Sequence, residues 1–247
     1  MQKPQVWPVI HFLNEELALH NAGIANDAGA VGVFLISMHG DDEPLIDVAK
    51  RVKQAYPSLK VGVNHLSLAP LLSLQLSLNA GLDATWTDGP GVTGSGVSQQ
   101  ARDVASLLKL FPEHQFFGSV AFKYRAPEPD PERAAVNAMN LGMIATTSGD
   151  ATGRAADPGK IARMRRAVTL AARPSNAEHK GDAPGTGDEF QLGIASGITP
   201  ENVGDFMGLV SHILVATGIS HDEHRLDYEK LARLIGRINQ AVPDAAA

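Results

Sequence analysis

Cysteine is missing from all 247 positions of this chain. That absence rules out a disulfide framework, a thiol nucleophile and a thiolate metal site together. Positive charge is not in excess either: the formal net charge is −6. No general field therefore draws nucleic acid or an anionic membrane, and an anionic ligand has to be held locally. No apolar run approaches the roughly 18 residues of a membrane span. The start, Met1-Gln-Lys-Pro-Gln5, lacks a signal-peptide pattern, so a soluble, cytoplasmic protein is expected. What is present is an ordinary globular composition, 44% hydrophobic and 19% charged, which is enough to bury a large core.

Strand-like and helix-like segments alternate along the chain. Strands are expected at 9–12, 31–37, 60–64, 83–87, 115–122 and 142–147, and in two further runs ending at Gly197 and Gly218. Between them lie helical patterns from Asn14 to the breaker Gly29, at 43–56, 69–79 and 98–110, and after the caps Asp130-Pro131 and Asp157-Pro158; 228–238 is the last. Eight such units imply parallel pairing with right-handed crossovers. The length is close to the roughly 250 residues of one barrel domain. An open doubly wound sheet is the alternative. Its G-x-G-x-x-G fingerprint is absent after the first strand, so the expectation is an α/β chain forming a single (β/α)8 TIM barrel over 1–247. The stretch 173–188 has turn composition without periodicity and reads as a mobile loop on the face away from the site, while 243–247 reads as a frayed end.

The most specific pattern is Leu192-Gly-Ile-Ala-Ser-Gly-Ile-Thr-Pro-Glu-Asn-Val203 followed by Ser211-His-Ile-Leu-Val-Ala-Thr-Gly218. Each begins as an apolar strand and stops at a glycine. Thr199-Pro200-Glu201 then reads as the capped start of a helix. Backbone amides at such a place suit a phosphate, and the loops after strands seven and eight are where barrels of this kind hold one. Ser196, Gly197, Ile198, Thr217 and Gly218 are the expected grip. Without that role, the glycines are simply strand terminators.

Side chains at the C-terminal ends of barrel strands face the mouth. That rule selects His11, His39 with Asp41 and Asp42, Asn64 and His65, Asp88, Lys123, Ser148, Asp150 and Thr217, and the loop around Asp150 adds Gly149 and Thr152 as expected substrate-binding residues. Asp88 and Asp150 follow strands in glycine-rich loops and suit general acid/base work, although such loops also use Asp to bond their own backbone. The hydroxyls and amides of 146–153 favour Asp150 and suit a sugar or second phosphate. Lys123, inside Val120-Ala-Phe-Lys-Tyr124, fits a phosphate-binding, carbonyl-polarising or Schiff-base lysine, or a solvated one past the strand end. His11, Asn64 and His65 read as substrate-orienting groups. His11, His39 and His65 end consecutive strands, but no H-x-H or H-E-x-x-H spacing accompanies them. They are read as hydrogen-bonded mouth residues, with no metal and no cofactor expected. His179, His221 and His224 lie in polar loops and receive no role.

Residues 195–203 with Val215-Ala-Thr-Gly-Ile219 resemble the phosphate grip of phosphoribosylanthranilate isomerase and related ribulose-phosphate-binding barrels. More of the chain is similar to the BtpA family, which is named for a photosystem I biogenesis protein. That likeness rests on Val61-Gly-Val-Asn64, the Lys123 strand, Ser148-Gly149…Thr152-Gly153 and Ser196-Gly197…Glu201-Asn202-Val203. The isomerase resemblance implies a Cys acid, which this chain lacks, so that activity is not expected. A further resemblance, to chains labelled adenine phosphoribosyltransferases, implies a nucleotide or phosphoribosyl ligand. Those enzymes have paired acids ahead of a Thr-Gly, whereas Asp150-Ala-Thr152-Gly153 has one acid at another spacing. The expected partner is thus a phosphorylated small molecule, acted on by glycosidic transfer, cleavage or sugar isomerisation. A non-catalytic BtpA-like assembly factor or a phospho-ligand-binding protein is the alternative, and self-association stays open.

Overall fold

The computed structural model describes residues 3–40, 42–172 and 190–242. The stretch 173–188, Asp41, His179 and the terminal 243–247 lie outside them. Ten strands occur in the described chain: β1 (Gln5–His11), β2 (Gly32–Ile36), β3 (Lys60–Asn64), β4 (Ala84–Thr87), β5 (Val92–Thr93), β6 (Gly96–Val97), β7 (Gln115–Ser119), β8 (Ile144–Ser148), β9 (Leu192–Ala195) and β10 (His212–Val215). Eight of them close into one parallel barrel in the order β1-β2-β3-β4-β7-β8-β9-β10, with β10 pairing back to β1. The short β5 and β6 form an antiparallel hairpin inside the glycine-rich loop after β4. Because all eight barrel strands are parallel, their C-terminal ends share a single rim.

Helices α1 (Glu15–Asp27), α2 (Leu45–Ala55), α3 (Pro70–Asn79), α4 (Gln99–Leu108), α5 (Pro131–Asn140), α6 (Pro158–Ala171) and α7 (Tyr228–Ala241) surround the barrel. Their starts follow from local chemistry. Asn14, Ser98, Asp130, Asp157 and Asp227 each accept a hydrogen bond from a first-turn amide, and proline occupies the first turn of α3, α5 and α6. The inward stripe of α2, Leu45, Val48, Ala49 and Val52, packs with outward-facing strand residues such as Val33, Leu35, Val61 and Val63. No helix among the described residues is long and apolar enough to cross a membrane.

The barrel interior is a second core, separate from the helix–strand layer. Trp7 stacks on Phe34 at 5.0 Å between ring centroids, and Phe117 stands edge-on to both, 5.5 and 5.1 Å away. Trp86 sits edge-on to Phe34 at 5.8 Å and Phe122 edge-on to Trp86 at 6.1 Å, so the aromatic packing climbs from the barrel centre to its mouth. Space for these rings comes from glycine. A Cβ on Gly32 would lie 2.5 Å from Trp7, and one on Gly62 2.4 Å from Phe34.

Two expectations fail. The strand expected over 115–122 ends at Ser119, because Ala121 adopts a left-handed conformation (φ 48°) and turns the chain inward. No α-helix begins at Thr199. Thr199 Oγ1 accepts from the amides of Glu201 and Asn202, while Asn202 bonds back to the Thr199 amide and the Gly197 carbonyl. These side-chain bonds close a tight turn, and only the 3-10 segment Val203–Phe206 follows.

Truncating the central ring tests this packing. Phe34→Ala should cost about 3–5 kcal/mol in denaturant unfolding. Phe111→Ala, at a position 44% exposed, should stay within about 0.5 kcal/mol of wild type.

Candidate active site

The aromatic column ends in a cavity of about 180 Å³ at the C-terminal rim. Its floor is apolar, with Val9, Ile36, Trp86, Phe122, Ala195 and Leu214. Its polar groups are His11, Asp88, Lys123, Tyr124, Thr152, Ser196 and Thr217, contributed by the end of β1 and the segments after β4, β7, β8, β9 and β10. A neighbouring hollow of about 330 Å³ shares Asp88, Lys123 and Tyr124 and adds His65, Gly89 and Arg125. Asp88 and Lys123 therefore stand on the boundary between two spaces.

Asp88 follows β4 directly, and Asn64, the last residue of β3 and fully buried, donates to its Oδ1 at 3.1 Å. Burial raises the Asp88 carboxyl above its usual range, opposed by the Asn64 bond and by the charges of Arg125 and Lys123. Lys123 is pushed the other way: burial lowers its ammonium, and the Asp88 and Tyr124 charges oppose this. The pair thus combines a carboxyl that holds its proton above the ordinary range with an ammonium that gives its proton up below it. That combination suits proton transfer beside a bound anion.

Lys123 reaches this position through a strained turn. It lies between Ala121 and Tyr124, both left-handed (φ 48° and 60°), a conformation that side chains with a Cβ disfavour. Bonds of three neighbouring side chains hold the turn. The Lys123 amide donates to Ser148 Oγ (2.8 Å), Thr147 Oγ1 donates to the Ala121 carbonyl (3.0 Å), and Lys160 Nζ donates to the carbonyls of Ala121 (3.2 Å) and Ser148 (2.9 Å). Lys123 Nζ itself reaches Thr152 Oγ1 (3.3 Å), and the Tyr124 hydroxyl bonds the same atom (3.2 Å). Ser148 is buried and positions backbone; Thr152 faces the cavity.

The structure divides the expected phosphate grip. Ser196 and Thr217 line the cavity, whereas Gly197, Ile198 and Gly218 stand behind it. Gly197 is left-handed (φ 72°), and a Cβ there would lie 2.1 Å from the Ala155 amide nitrogen. A Cβ on Gly218 would lie 1.8 Å from the Ile198 carbonyl oxygen. Both glycines are thus required for the close approach of three loops. Ser196, also left-handed (φ 84°), ties β9 to the loop after β8 by accepting from the Gly153 amide and donating to the Ala151 carbonyl. Gly149 has the same packing role, since a Cβ would lie 2.3 Å from the Arg154 carbonyl oxygen.

The other candidates separate. Asp150 is exposed, lies outside the cavity lining, and its charge acts on Lys160. His65 is buried with its Nδ1 2.7 Å from Ser73 Oγ, which pins the loop to α3. Asp42 is buried and accepts from the Ser67 amide and hydroxyl. His11 lines the cavity, and burial holds its imidazole below the usual value. His39 projects from the turn after β2 and approaches His224, not His11 or His65. Sequence reasoning missed Tyr124, Arg125 and Lys160. Tyr124 adjoins Lys123 and Arg125 follows it, so both were legible in the sequence around that lysine. Lys160 was hidden in a helix cap and reaches the mouth only because α6 starts there.

A closed parallel barrel with its polar residues gathered at the C-terminal rim is a TIM barrel with a mouth cavity. Solved structures bear out that class. Phosphoribosylanthranilate isomerase from Thermus thermophilus is 15% identical, with TM-score 0.64 and coverage of 96% of this chain and 99% of that one. A phosphoribosylanthranilate isomerase in complex with reduced 1-(o-carboxyphenylamino)-1-deoxyribulose 5-phosphate is 14% identical, with TM-score 0.61 and coverage of 96% and 99%. KGPDC from Streptococcus mutans is 12% identical, with TM-score 0.63 and coverage of 97% and 99%. At these identities the likeness establishes the fold alone. No family model and no curated protein matches the sequence.

The Asp88 environment has a consequence for stability. The folded chain holds this proton more tightly than the unfolded chain, so ionising Asp88 reduces stability as pH rises above the ordinary value of 3.8. Asp88→Asn removes that loss. The variant should be more stable than wild type at pH 7 in denaturant unfolding, and the difference should vanish below about pH 3.8. A variant less stable at pH 7 would show that the carboxylate is favoured in the fold.

Proposed function

We propose that this barrel is an enzyme acting on a phosphorylated small molecule of phosphoribosyl or nucleotide type. The observation that carries the reading is that Asp88 and Lys123, both half-buried at the mouth, are shifted in opposite directions. Sugar isomerisation and glycosidic transfer or cleavage both need a proton moved beside a charged sugar phosphate. Asp88 moves that proton, with Asn64 orienting its carboxyl. Lys123 neutralises ligand charge, and Thr152 holds its ammonium in place. Ser196 and Thr217 present hydroxyls to the ligand from the β9 and β10 side, and the amides of Gly197, Ile198 and Gly218 remain the proposed phosphate grip behind them. His11 contacts the ligand from β1. Asp88 is preferred to Asp150 because Asp150 is exposed outside the cavity.

The ligand class is supported by the isomerase complex, whose ligand is a ribulose 5-phosphate derivative, and by the similar pattern of residues 195–203 and 215–219. The BtpA resemblance rests on short motifs and favours a binding or assembly role. A half-buried acid and base lining a mouth cavity favour catalysis over that role.

Calorimetry with ribose 5-phosphate and nucleoside 5′-monophosphates, joined to a turnover screen over phosphorylated sugars, tests the reading. Lys123→Met should weaken binding by about ten- to a hundredfold, the effect of losing a charge-assisted bond. Asp88→Asn should keep binding and lose turnover by about a hundredfold or more. Gly197→Asp should abolish binding in protein shown to be folded, because it adds a carboxylate and a Cβ at a tight left-handed turn. Wild-type protein that binds none of these ligands would leave the assembly role as the better reading.

A further inference from the structure

Beside the cavity, the turn after β2 meets the loop between β10 and α7. His39, Glu223 and His224 converge there, and each offers a ligand atom within 4.8 Å of the others. We propose that these three residues bind a divalent cation of the zinc class through two imidazoles and one carboxylate. The inference does not depend on the phosphorylated-ligand reading.

His224 is held from three sides. Its amide donates to Asp222 Oδ1 (3.0 Å), and its carbonyl accepts from Asn21 Nδ2 (2.7 Å), a side chain 1% exposed in the outer core. Its ring Nδ1 lies 3.2 Å from the carbonyl oxygen of His11. A carbonyl only accepts, so Nδ1 carries the proton and Nε2 keeps its lone pair for a ligand. A backbone carbonyl behind one imidazole nitrogen is the outer-shell arrangement that fixes tautomer and ring direction in metal-binding histidines. The His39 ring centroid lies 6.5 Å from that of His224, with the planes tilted by 44°; the two rings are not stacked. Glu223 forms no ion pair among the described residues, and its carboxylate supplies the negative charge that a dication needs.

The donor set selects the ion. Two imidazoles and one carboxylate without thiolate suit Zn²⁺, Co²⁺ or Ni²⁺, whereas Mg²⁺ and Ca²⁺ take oxygen ligands. Three protein ligands leave coordination room for water or a ligand oxygen, as in catalytic rather than structural zinc sites. The position suits that use. Met38, next to His39, lines the cavity, as does His11, whose carbonyl holds the His224 ring.

The test uses the full chain stripped of metal with a chelator, then titrated with Co²⁺ by visible absorption and with Zn²⁺ by calorimetry. Wild type should bind one equivalent, with the absorption of imidazole-bound Co²⁺. His39→Ala and His224→Ala should each weaken binding by at least about tenfold, and Glu223→Gln by a similar factor, while His20→Ala, at an exposed position of α1, should change nothing. Each metal-free variant should unfold at the wild-type denaturant midpoint, and His39→Ala, at an exposed turn, serves if His224→Ala does not. Mg²⁺ in excess should not compete. Unchanged affinity in the His39 and Glu223 variants would place the cation elsewhere on the chain and overturn the proposal. Failure of folded wild type to bind Co²⁺ would do the same. Neither result bears on Lys123 or Asp88, so the two readings fail separately.

Discussion

Trp7, Phe34 and Phe117 meet inside the barrel at 5.0 to 5.5 Å, and the mouth is built on that contact. Three large rings fill the centre, so the space above them begins at a fixed level. Trp86 rests on Phe34, and Phe122 on Trp86, which makes the cavity floor apolar and close-packed. A polar group placed above such a floor loses water on one side. Asp88 and Lys123 are both shifted by this loss of water. The chemistry proposed for the site therefore derives from hydrophobic packing several residues below it.

The turn that carries Lys123 illustrates how strain is held in place. Left-handed Ala121 and Tyr124 are each unfavourable by roughly 1 kcal/mol or more. Bonds from Ser148, Thr147 and Lys160 to this turn come from β8 and the first turn of α6. Two adjacent βα units are thereby coupled at the mouth. Lys160 performs this through an ammonium whose proton is itself less tightly held because of burial, with Asp150 opposing that shift. Asp150 thus bears on the site through Lys160 more directly than through the cavity.

The glycines of the β9 and β10 loops show how one motif serves two needs. Gly197 and Gly218 admit neighbouring backbone at distances that no side chain allows. That close approach brings the Ser196 and Thr217 side chains to the cavity edge while their glycine neighbours stay behind it. A phosphate grip and a loop-packing device place the same demand on sequence, glycine after an apolar strand. The pattern by itself does not separate them.

The strand order, the parallel barrel and part of the rim were legible in the sequence. They depend on local rules: apolar runs of strand length, Asp-Pro and Ser caps, and the fact that parallel strands share one end. Local rules also placed Asp88, Lys123 and Thr217 at strand ends, and the folded chain has them in the cavity lining. They failed at Thr199, where side chains of Thr199 and Asn202 compete with the helix for backbone amides and win. Only tertiary structure decided which rim residues share a space. Asn64 bonds Asp88, Asp150 turns outward, and His39 meets Glu223 and His224 instead of the histidines of neighbouring strands. Those outcomes are set by loop paths and ring packing between residues far apart in the chain. No periodicity records such distances, because each loop's path depends on what the other loops leave room for.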